Sequence, residues 1–149
     1  MEKRQLGKNG PLVGPIGLGC WSFAGAYGET DQAASHRTLA RALDLGIDFL
    51  DTANVYGMGR SEQVIGTYLA ARGATARDHF NIATKASITR DADNRRYFNN
   101  TRAHLEAELD QSLARLGVDS VDLFYVHRRD ADTPIEEVTQ TLADLVKTG

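Results

Sequence analysis

The stretch FLDTANVYG, residues 49–57, joins a short apolar run to a polar loop, and it predicts a strand that ends in a turn. Asp51 closes the apolar run, and Tyr56 lies in the loop that follows it. Taken alone, Asp51 could simply bond to amides of its own loop, and Tyr56 could be an ordinary half-buried aromatic residue. Whether the two residues belong to a site depends on what the neighbouring strands present.

Strand-like and helix-like patterns alternate along the whole chain. The helical segments have apolar residues three and four positions apart, and the strands are short apolar runs. This alternation is typical of an α/β protein with a parallel sheet. Residues 4–18 should form a hairpin with an Asn9-Gly10 turn and then a strand. After it we expect three strands, IDFLD (47–51), HFNIATK (79–85) and VDLFYVH (121–127), and helices at 31–45, ended by Gly46, at 61–72, capped by Ser61, and at 101–116. A last helix should begin with the capping box Thr133-Pro134-Ile135-Glu136 and end at Gly149.

Two architectures fit this alternation: a doubly wound sheet and a (β/α)8 TIM barrel. A doubly wound sheet that binds a dinucleotide would need a Gly-rich loop between a strand and a helix. The segment GPIGLGCW (14–21) contains no G-x-G-x-x-G, and Trp21 stands where that helix should begin. We therefore expect a TIM barrel with an N-terminal β-hairpin. Because a complete barrel needs about 250 residues, we expect residues 1–149 to be a single domain with the first four βα units, either half of a longer chain or one of two associating halves.

The composition is that of an ordinary globular protein, with 42% apolar and 25% charged residues. The net charge of -3 gives no basic field for nucleic acid. The N-terminus has no apolar signal segment, and no apolar run approaches the roughly 18 residues of a membrane span. The single cysteine excludes an internal disulfide, and we expect a cytoplasmic protein without nucleic-acid or membrane partners. The sequence does not decide whether the protein forms homo-oligomers. The four histidines are dispersed, and no metal-binding motif is evident.

Ionisable side chains end three consecutive predicted strands: Asp51, Lys85 and His127. In a TIM barrel, catalytic groups lie at the C-terminal ends of the strands, and neighbouring strands are about 4.8 Å apart. We therefore expect these residues to converge over one mouth, with Tyr56 leaning over it. A lone lysine usually reaches solvent, and a lone histidine is more often structural than catalytic. The prediction of a site therefore rests on the presence of all four residues at the same mouth. Lys85 is also the only lysine between residues 9 and 146.

These four residue types can act together as a proton donor. An ordinary phenol has a pKa of about 10 and is a weak acid at neutral pH. A neighbouring ammonium favours the phenolate, a carboxylate supplies the counter-ion of the ammonium, and an imidazole can orient a substrate oxygen. Such a set would protonate a carbonyl oxygen, which predicts carbonyl reduction with a separate hydride source.

The chain carries six motifs that together form a specific combination: RQLGKNG (4–10), IGLGCWSFAG (16–25), GIDFLDTANVYGMGRSEQVIG (46–66), IATK (82–85), LARLGVDSVDLFYVH (113–127) and TPIEEV (133–138). Through them the chain resembles the N-terminal half of an aldo-keto reductase, and in detail the bacterial members related to potassium-channel β-subunits. The resemblance extends over essentially all of the chain.

The resemblance implies a (β/α)8 barrel closed at its bottom by the hairpin, and NADPH-dependent reduction of aldehydes and ketones. It implies that Tyr56 is the proton donor and that Asp51, Lys85 and His127 complete a catalytic tetrad. Cys20, Trp21 and Asp51 would contact the cofactor, and Trp21, Tyr56 and His127 would contact the substrate. In this family most cofactor contacts come from later strands, so we expect a polypeptide of residues 1–149 alone to bind NADPH poorly and turn over little.

Two other classes of function compete with a reductase. One is a redox-sensing, cofactor-binding partner protein of the channel β-subunit type with little turnover. The other is a Schiff-base aldolase with Lys85 as nucleophile, which the neighbouring Asp51 disfavours because it would keep the amine protonated. The loop at residues 87–99 either shapes the rim of the pocket or is solvated surface, and we favour surface. The substrate and the choice between NADPH and NADH cannot be read from these residues.

Overall fold

The computed structural model describes residues 2–148 as alternating strands and helices. In chain order the strands are β1 (Arg4–Gln5), β2 (Leu12–Val13), β3 (Leu18–Gly19), β4 (Phe49–Asp51), β5 (Asn81–Ala86), β6 (Ile88–Arg90), β7 (Arg96–Phe98) and β8 (Leu123–Val126). The helices are α1 (Gln32–Asp44), α2 (Arg60–Arg72), α3 (Ala74–His79), α4 (Arg102–Leu116) and α5 (Ile135–Thr148), with a 3-10 turn at Cys20–Ala24.

The centre of the fold is a parallel sheet of four strands in the order β3-β4-β5-β8. Each strand leads to a helix before the chain returns to the next parallel strand, which gives four consecutive βα units. This confirms the predicted alternation and the partial TIM barrel. No helix within residues 2–148 is both long enough and apolar enough to span a membrane.

The main core lies between the sheet and the helices. Leu50 of β4 and Ile82 of β5 are fully buried and belong to one cluster with Leu39, Ile65 and Leu116 from three helices. These side chains exclude water from the outer face of the sheet, which is the dominant favourable contribution to folding. The opposite face of the sheet is left for the site.

The hairpin of β1 and β2 is tied to the lower end of β4 through Asp48. The buried carboxylate of Asp48 accepts a hydrogen bond from the Gly14 N–H at 2.7 Å, and Lys3 Nζ lies 2.9 Å from its other oxygen. The predicted hairpin is therefore present, but its connection is longer than an Asn-Gly turn. The positive φ of 63° belongs to Gly7 rather than to Asn9.

Several helix boundaries differ from the sequence expectations. Ser61 is not the N-cap of α2; that position is occupied by Gly59, whose φ of 90° no ordinary side chain adopts easily. The hydroxyl of Thr133 donates to Asp130 at 2.8 Å. Neither hydrogen bond of the predicted capping box between Thr133 and Glu136 is present in residues 2–148. Gly46 follows α1 with a φ of 71°, as predicted, and Gly149 lies outside the described residues.

Three elements were not predicted: α3, β6 and β7. The short helix α3 precedes β5. The segment between β5 and α4, predicted as a loop, contains the antiparallel hairpin of β6 and β7. All three residues of β7 are exposed, as the favoured surface interpretation requires.

Candidate active site

Side chains alternate between the two faces of a sheet, and this alternation places the candidate catalytic residues on one face. The register pairs Asp51 with Ala83 and Lys85 with Tyr125, so the odd-numbered residues share the face opposite the helical core. His127 follows β8 with the same parity, and its N–H donates to the Ala86 carbonyl at 2.8 Å. The three strand-end residues predicted from sequence therefore lie together at the same edge.

The ammonium of Lys85 is the centre of the cluster. Its Nζ donates to Asp51 Oδ1 at 2.5 Å and to the Thr52 carbonyl at 2.8 Å. The Lys85 side chain is only 13% exposed, whereas that of Asp51 is 37% exposed, so the ammonium is shielded from water and the carboxylate is partly open to it. The same Nζ lies 5.2 Å from the centroid of the Tyr56 ring and 5.8 Å from that of Tyr125. Because an ammonium has three donors, one N–H is left for a phenol oxygen or a ligand.

Aromatic rings surround Tyr56 on two sides. Trp21 stacks on the Tyr56 ring with centroids 5.7 Å apart and an interplanar angle of 24°. His127 meets the same ring edge-on, with centroids 5.8 Å apart. Trp21 is 49% exposed and is also contacted edge-on by Tyr27. The phenol is thus held between an imidazole and an indole whose face is open to solvent.

The imidazole of His127 is expected to be neutral at pH 7. Burial lowers its pKa below the ordinary value of 6.5, and the positive charges of Lys85 and Arg128 act in the same direction. Its Nδ1 is buried and has no hydrogen-bond partner within residues 2–148. Since buried ring nitrogens are normally paired, this nitrogen is an exception among the buried polar atoms of the site.

Cys20 contributes no reactive thiol to the site. The residue is fully buried, and its Sγ donates to the Leu18 carbonyl at 3.4 Å. Burial raises the pKa of the thiol far above its ordinary range, and the nearby Asp51 carboxylate adds to the effect. The Cys20 carbonyl accepts a hydrogen bond from Ser61 Oγ at 2.8 Å. In the described part of the chain, no three His, Cys, Asp or Glu side chains are grouped as metal ligands.

The loop that carries Tyr56 is closed at its two ends by hydroxyl groups. Thr52 Oγ1, just after β4, donates to Ser61 Oγ in the first turn of α2 at 2.9 Å. Inside the loop, the Tyr56 N–H donates to the Ala53 carbonyl, and the Tyr56 carbonyl accepts from the Ser61 N–H. The backbone on both sides of the phenol is therefore fixed.

A second anchor lies one residue further along α2. Glu62 is fully buried, and its Oε1 accepts from Thr84 Oγ1 at 2.6 Å, next to Lys85 in β5. Its Oε2 accepts from Arg115 Nε of α4 at 2.6 Å. Glu62 thus links α2, β5 and α4 directly behind the site, on the face of β5 opposite Lys85.

Sequence reasoning missed these supporting residues. The Thr52 carbonyl carries no side-chain signal, and Ser61 and Glu62 were interpreted only as features of a helix start. Asn54 was also missed: its N–H donates to the Lys85 carbonyl at 3.1 Å, and its Nδ2 donates to Glu108 at 2.6 Å. All four lie within ten residues of Tyr56 and are buried in the structure, a property that their polar side chains do not reveal in the sequence.

Comparison with known proteins identifies the family. A sequence profile of the Aldo/keto reductase family matches residues 15–149. Because this match covers most of the chain, the protein belongs to the aldo/keto reductase family, and the parallel sheet described above is part of that family's barrel.

Individual relatives agree with this assignment. The chain is 39% identical over 153 residues to the L-glyceraldehyde 3-phosphate reductase of Escherichia coli (strain K12), covering 100% of the chain and 43% of the relative. It is 35% identical over 147 residues to the NADP(+) aldo-keto reductase yakc of Schizosaccharomyces pombe, covering 98% of the chain and 42% of the relative. The holo form of aldo-keto reductase AKR11C1 from Bacillus halodurans superimposes with a TM-score of 0.85 and 32% identity, covering 100% of the chain and 47% of that structure. The chain therefore spans less than half the length of these relatives.

Proposed function

We propose that the protein containing this chain reduces aldehydes and ketones to alcohols with NADPH, and that Tyr56 donates the proton. The observation that carries the proposal is the convergence on Tyr56 of a shielded ammonium, an imidazole and an exposed indole. Family membership supports an oxidoreductase. The names of the relatives support an aldehyde substrate and NADP as cofactor.

In the proposed step, the Tyr56 hydroxyl gives its proton to the carbonyl oxygen and becomes a phenolate. The Lys85 ammonium stabilises that phenolate, and the 2.5 Å contact with Asp51 holds the ammonium in place. Solvent then returns the proton to Tyr56. General acid catalysis of this kind contributes about 10²–10⁴ in rate.

His127 orients the carbonyl in this proposal. A neutral imidazole can hydrogen-bond the substrate oxygen without competing with Tyr56 as the acid. The edge-on contact of the His127 ring with the Tyr56 ring supports this role.

The residues at the mouth fit a nicotinamide cofactor. Trp21 offers a 49% exposed aromatic face beside Tyr56, and aromatic rings stack readily on other planar rings. We propose that Trp21, the backbone at Cys20 and the edge of Asp51 contribute contacts to it. NADPH, when bound, would supply the hydride that goes to the carbonyl carbon.

The competing functions have less support. The relatives above are named as reductases, and none of those names describes a channel partner. A Schiff-base mechanism needs a neutral amine at Lys85, whereas Nζ is engaged as a donor to a carboxylate and a carbonyl.

The test replaces Tyr56 with Phe in the gene product that contains this chain. NADPH oxidation with a simple aldehyde should fall by about 10²–10⁴ in kcat, while NADPH binding, followed by fluorescence, should be retained. Tyr27→Phe is the matched control, because Tyr27 also contacts Trp21 but is 79% exposed. Unchanged turnover in Tyr56→Phe would exclude Tyr56 as the acid.

A further inference from the structure

Tyr125 occupies the position of β8 directly beside Lys85. The two residues are partners in the parallel register of β5 and β8. Because side chains alternate across a sheet, both lie on the face that carries the site. The next residue, Phe124, lies on the other face and packs against a small core cluster that contains Leu105. Tyr125 is therefore the aromatic residue of β8 that shares the surroundings of the ammonium.

The ammonium of Lys85 is held from both neighbouring strands. In the sheet, β5 lies between β4 and β8. On the side of β4, two N–H groups of Nζ donate to Asp51 Oδ1 and to the Thr52 carbonyl. On the side of β8, Nζ lies over the face of the Tyr125 ring, 5.8 Å from its centroid. A cation within about 6 Å of an aromatic centroid is attracted by the negative face of the ring.

The contact with Tyr125 leaves the third N–H of Lys85 unused. At 5.8 Å the ring attracts the charge but is too far away to accept a hydrogen bond. The same Nζ lies 5.2 Å from the centroid of the Tyr56 ring. The ring of Tyr125 therefore restrains the ammonium without competing for the donor that faces the phenol.

Such a restraint matters because a lysine side chain is a flexible stem that carries a point charge. The Asp51 carboxylate is 37% exposed, so water competes for it and it holds the ammonium less firmly than a buried partner would. The Lys85 side chain is only 13% exposed, and charges attract more strongly where water is excluded. The position of Nζ therefore determines how well it can stabilise a negative charge on Tyr56.

We propose that Tyr125 is a positioning residue whose ring holds the Lys85 ammonium where it stabilises the Tyr56 phenolate. Tyr125 acts through Lys85 and takes no part in the proton transfer. A charge that is already in place when the phenolate forms lowers the barrier without reorganisation. This inference rests on the proposed reductase function and adds a residue to its machinery.

The kinetic test replaces Tyr125 with Leu in the gene product that contains this chain. Leucine keeps an apolar side chain at this position but has no π electrons. With butanal and saturating NADPH, kcat should fall about fivefold to tenfold, the size of a shielded cation–π contact. The KM for NADPH should not change. Tyr125→Phe restores the ring without the hydroxyl and should recover most of the wild-type kcat.

Phe124→Leu is the matched control, because it removes an aromatic ring from the same strand on the opposite face. It should lower the melting temperature but leave kcat unchanged. Wild-type kcat in Tyr125→Leu would overturn the inference. So would an equal loss of kcat in Phe124→Leu, or a loss in Tyr125→Phe as large as that in Tyr125→Leu.

An NMR measurement separates this inference from the proposed function. Hydrogen exchange reports how firmly a group is held and covered. In the ¹⁵N-labelled gene product, the ammonium signal of Lys85 is assigned by its absence in Lys85→Arg. Its exchange with water should be faster in Tyr125→Leu than in the wild type, and unchanged in Tyr125→Phe and Phe124→Leu. Absence of turnover in the wild type would refute the proposed function, whereas equal exchange in Tyr125→Leu and the wild type would refute the role of Tyr125.

Discussion

Replacing Arg115 with Met should destabilise the protein severely, because it leaves the buried carboxylate of Glu62 without its counter-ion. Glu62 is fully buried and, among residues 2–148, its carboxylate accepts two hydrogen bonds, both at 2.6 Å, from Arg115 and Thr84. Removing one partner of a buried ion pair costs about 3–5 kcal/mol. Arg115 itself is 19% exposed, so water can partly reach the vacated position, and we expect about 3 kcal/mol.

The assay is urea denaturation of the gene product that contains this chain, with the free energy of unfolding extrapolated to water. Arg102→Met is the control. Arg102 lies on the same helix and pairs with Glu106 at 3.2 Å and with Asp144 of α5 at 2.5 Å, but all three side chains are reached by solvent, so the effect should be smaller. Adding Glu62→Gln to Arg115→Met should recover part of the loss, because the neutral amide leaves no buried charge. A loss in Arg115→Met no larger than in Arg102→Met would refute this reasoning.

Three further predictions concern pH and packing. The His127 imidazole should titrate below pH 6.5 in an NMR experiment, so its contribution to stability is complete above pH 6.5 and declines as the pH falls through its folded pKa; a midpoint above 6.5 would contradict the burial argument. Asp48 is buried, which opposes ionisation, but the Gly14 N–H and Lys3 lower its pKa below 3.8. The resulting stability is present above pH 3.8 and is lost on further acidification. In urea denaturation, Asp48→Asn should therefore make the free energy of unfolding less dependent on pH below 3.8. Gly66→Ala should lower the free energy of unfolding by about 1–3 kcal/mol, because the new Cβ would overlap the carbonyl oxygen of Arg115. This overlap outweighs the roughly 1 kcal/mol that alanine gains over glycine in a helix. Gln63→Ala on the exposed side of α2 is the control, and equal stability of the two variants would argue against close packing at Gly66.

The architecture and the strand-end residues were predictable because both depend on local patterns. A strand places alternate residues on opposite faces, so a polar residue at the end of an apolar run indicates a site before any contact is known. Asp51, Lys85 and His127 follow this rule, and parallel pairing then brings them together. Whether these residues act as proposed is decided by the experiments above.

The supporting contacts were not predictable because they join distant parts of the chain. Glu62 and Arg115 are 53 residues apart, and nothing in either local sequence specifies the other. Glu62 looked like an ordinary acidic residue at a helix start, a position where it is favoured by the helix dipole. Its full burial follows only from the packing of α2 against α4.

The hairpin of β6 and β7 was missed for a different reason. Its turn uses Asn94 with a φ of 63°, but Arg95 follows where a glycine would have signalled a hairpin. Its strands have three residues each, and all of β7 is exposed, so they carry little hydrophobic alternation. Hydrogen bonds from Ser87 and Asn100 to the Arg128 carbonyl, rather than apolar periodicity, hold it in place.

The hydrogen bond between Thr52 and Ser61 has a consequence for the entropy of catalysis. It closes the loop around Tyr56 into a small ring whose conformational freedom is removed when the protein folds. In the proposed reaction, a substrate would therefore meet a phenol that is already ordered, and its binding energy would not be needed to order the loop. The same closure predicts an order of events on heating: if the Thr52–Ser61 bond and the backbone bonds at Tyr56 break before the sheet unfolds, the proposed activity would be lost while the sheet is still intact.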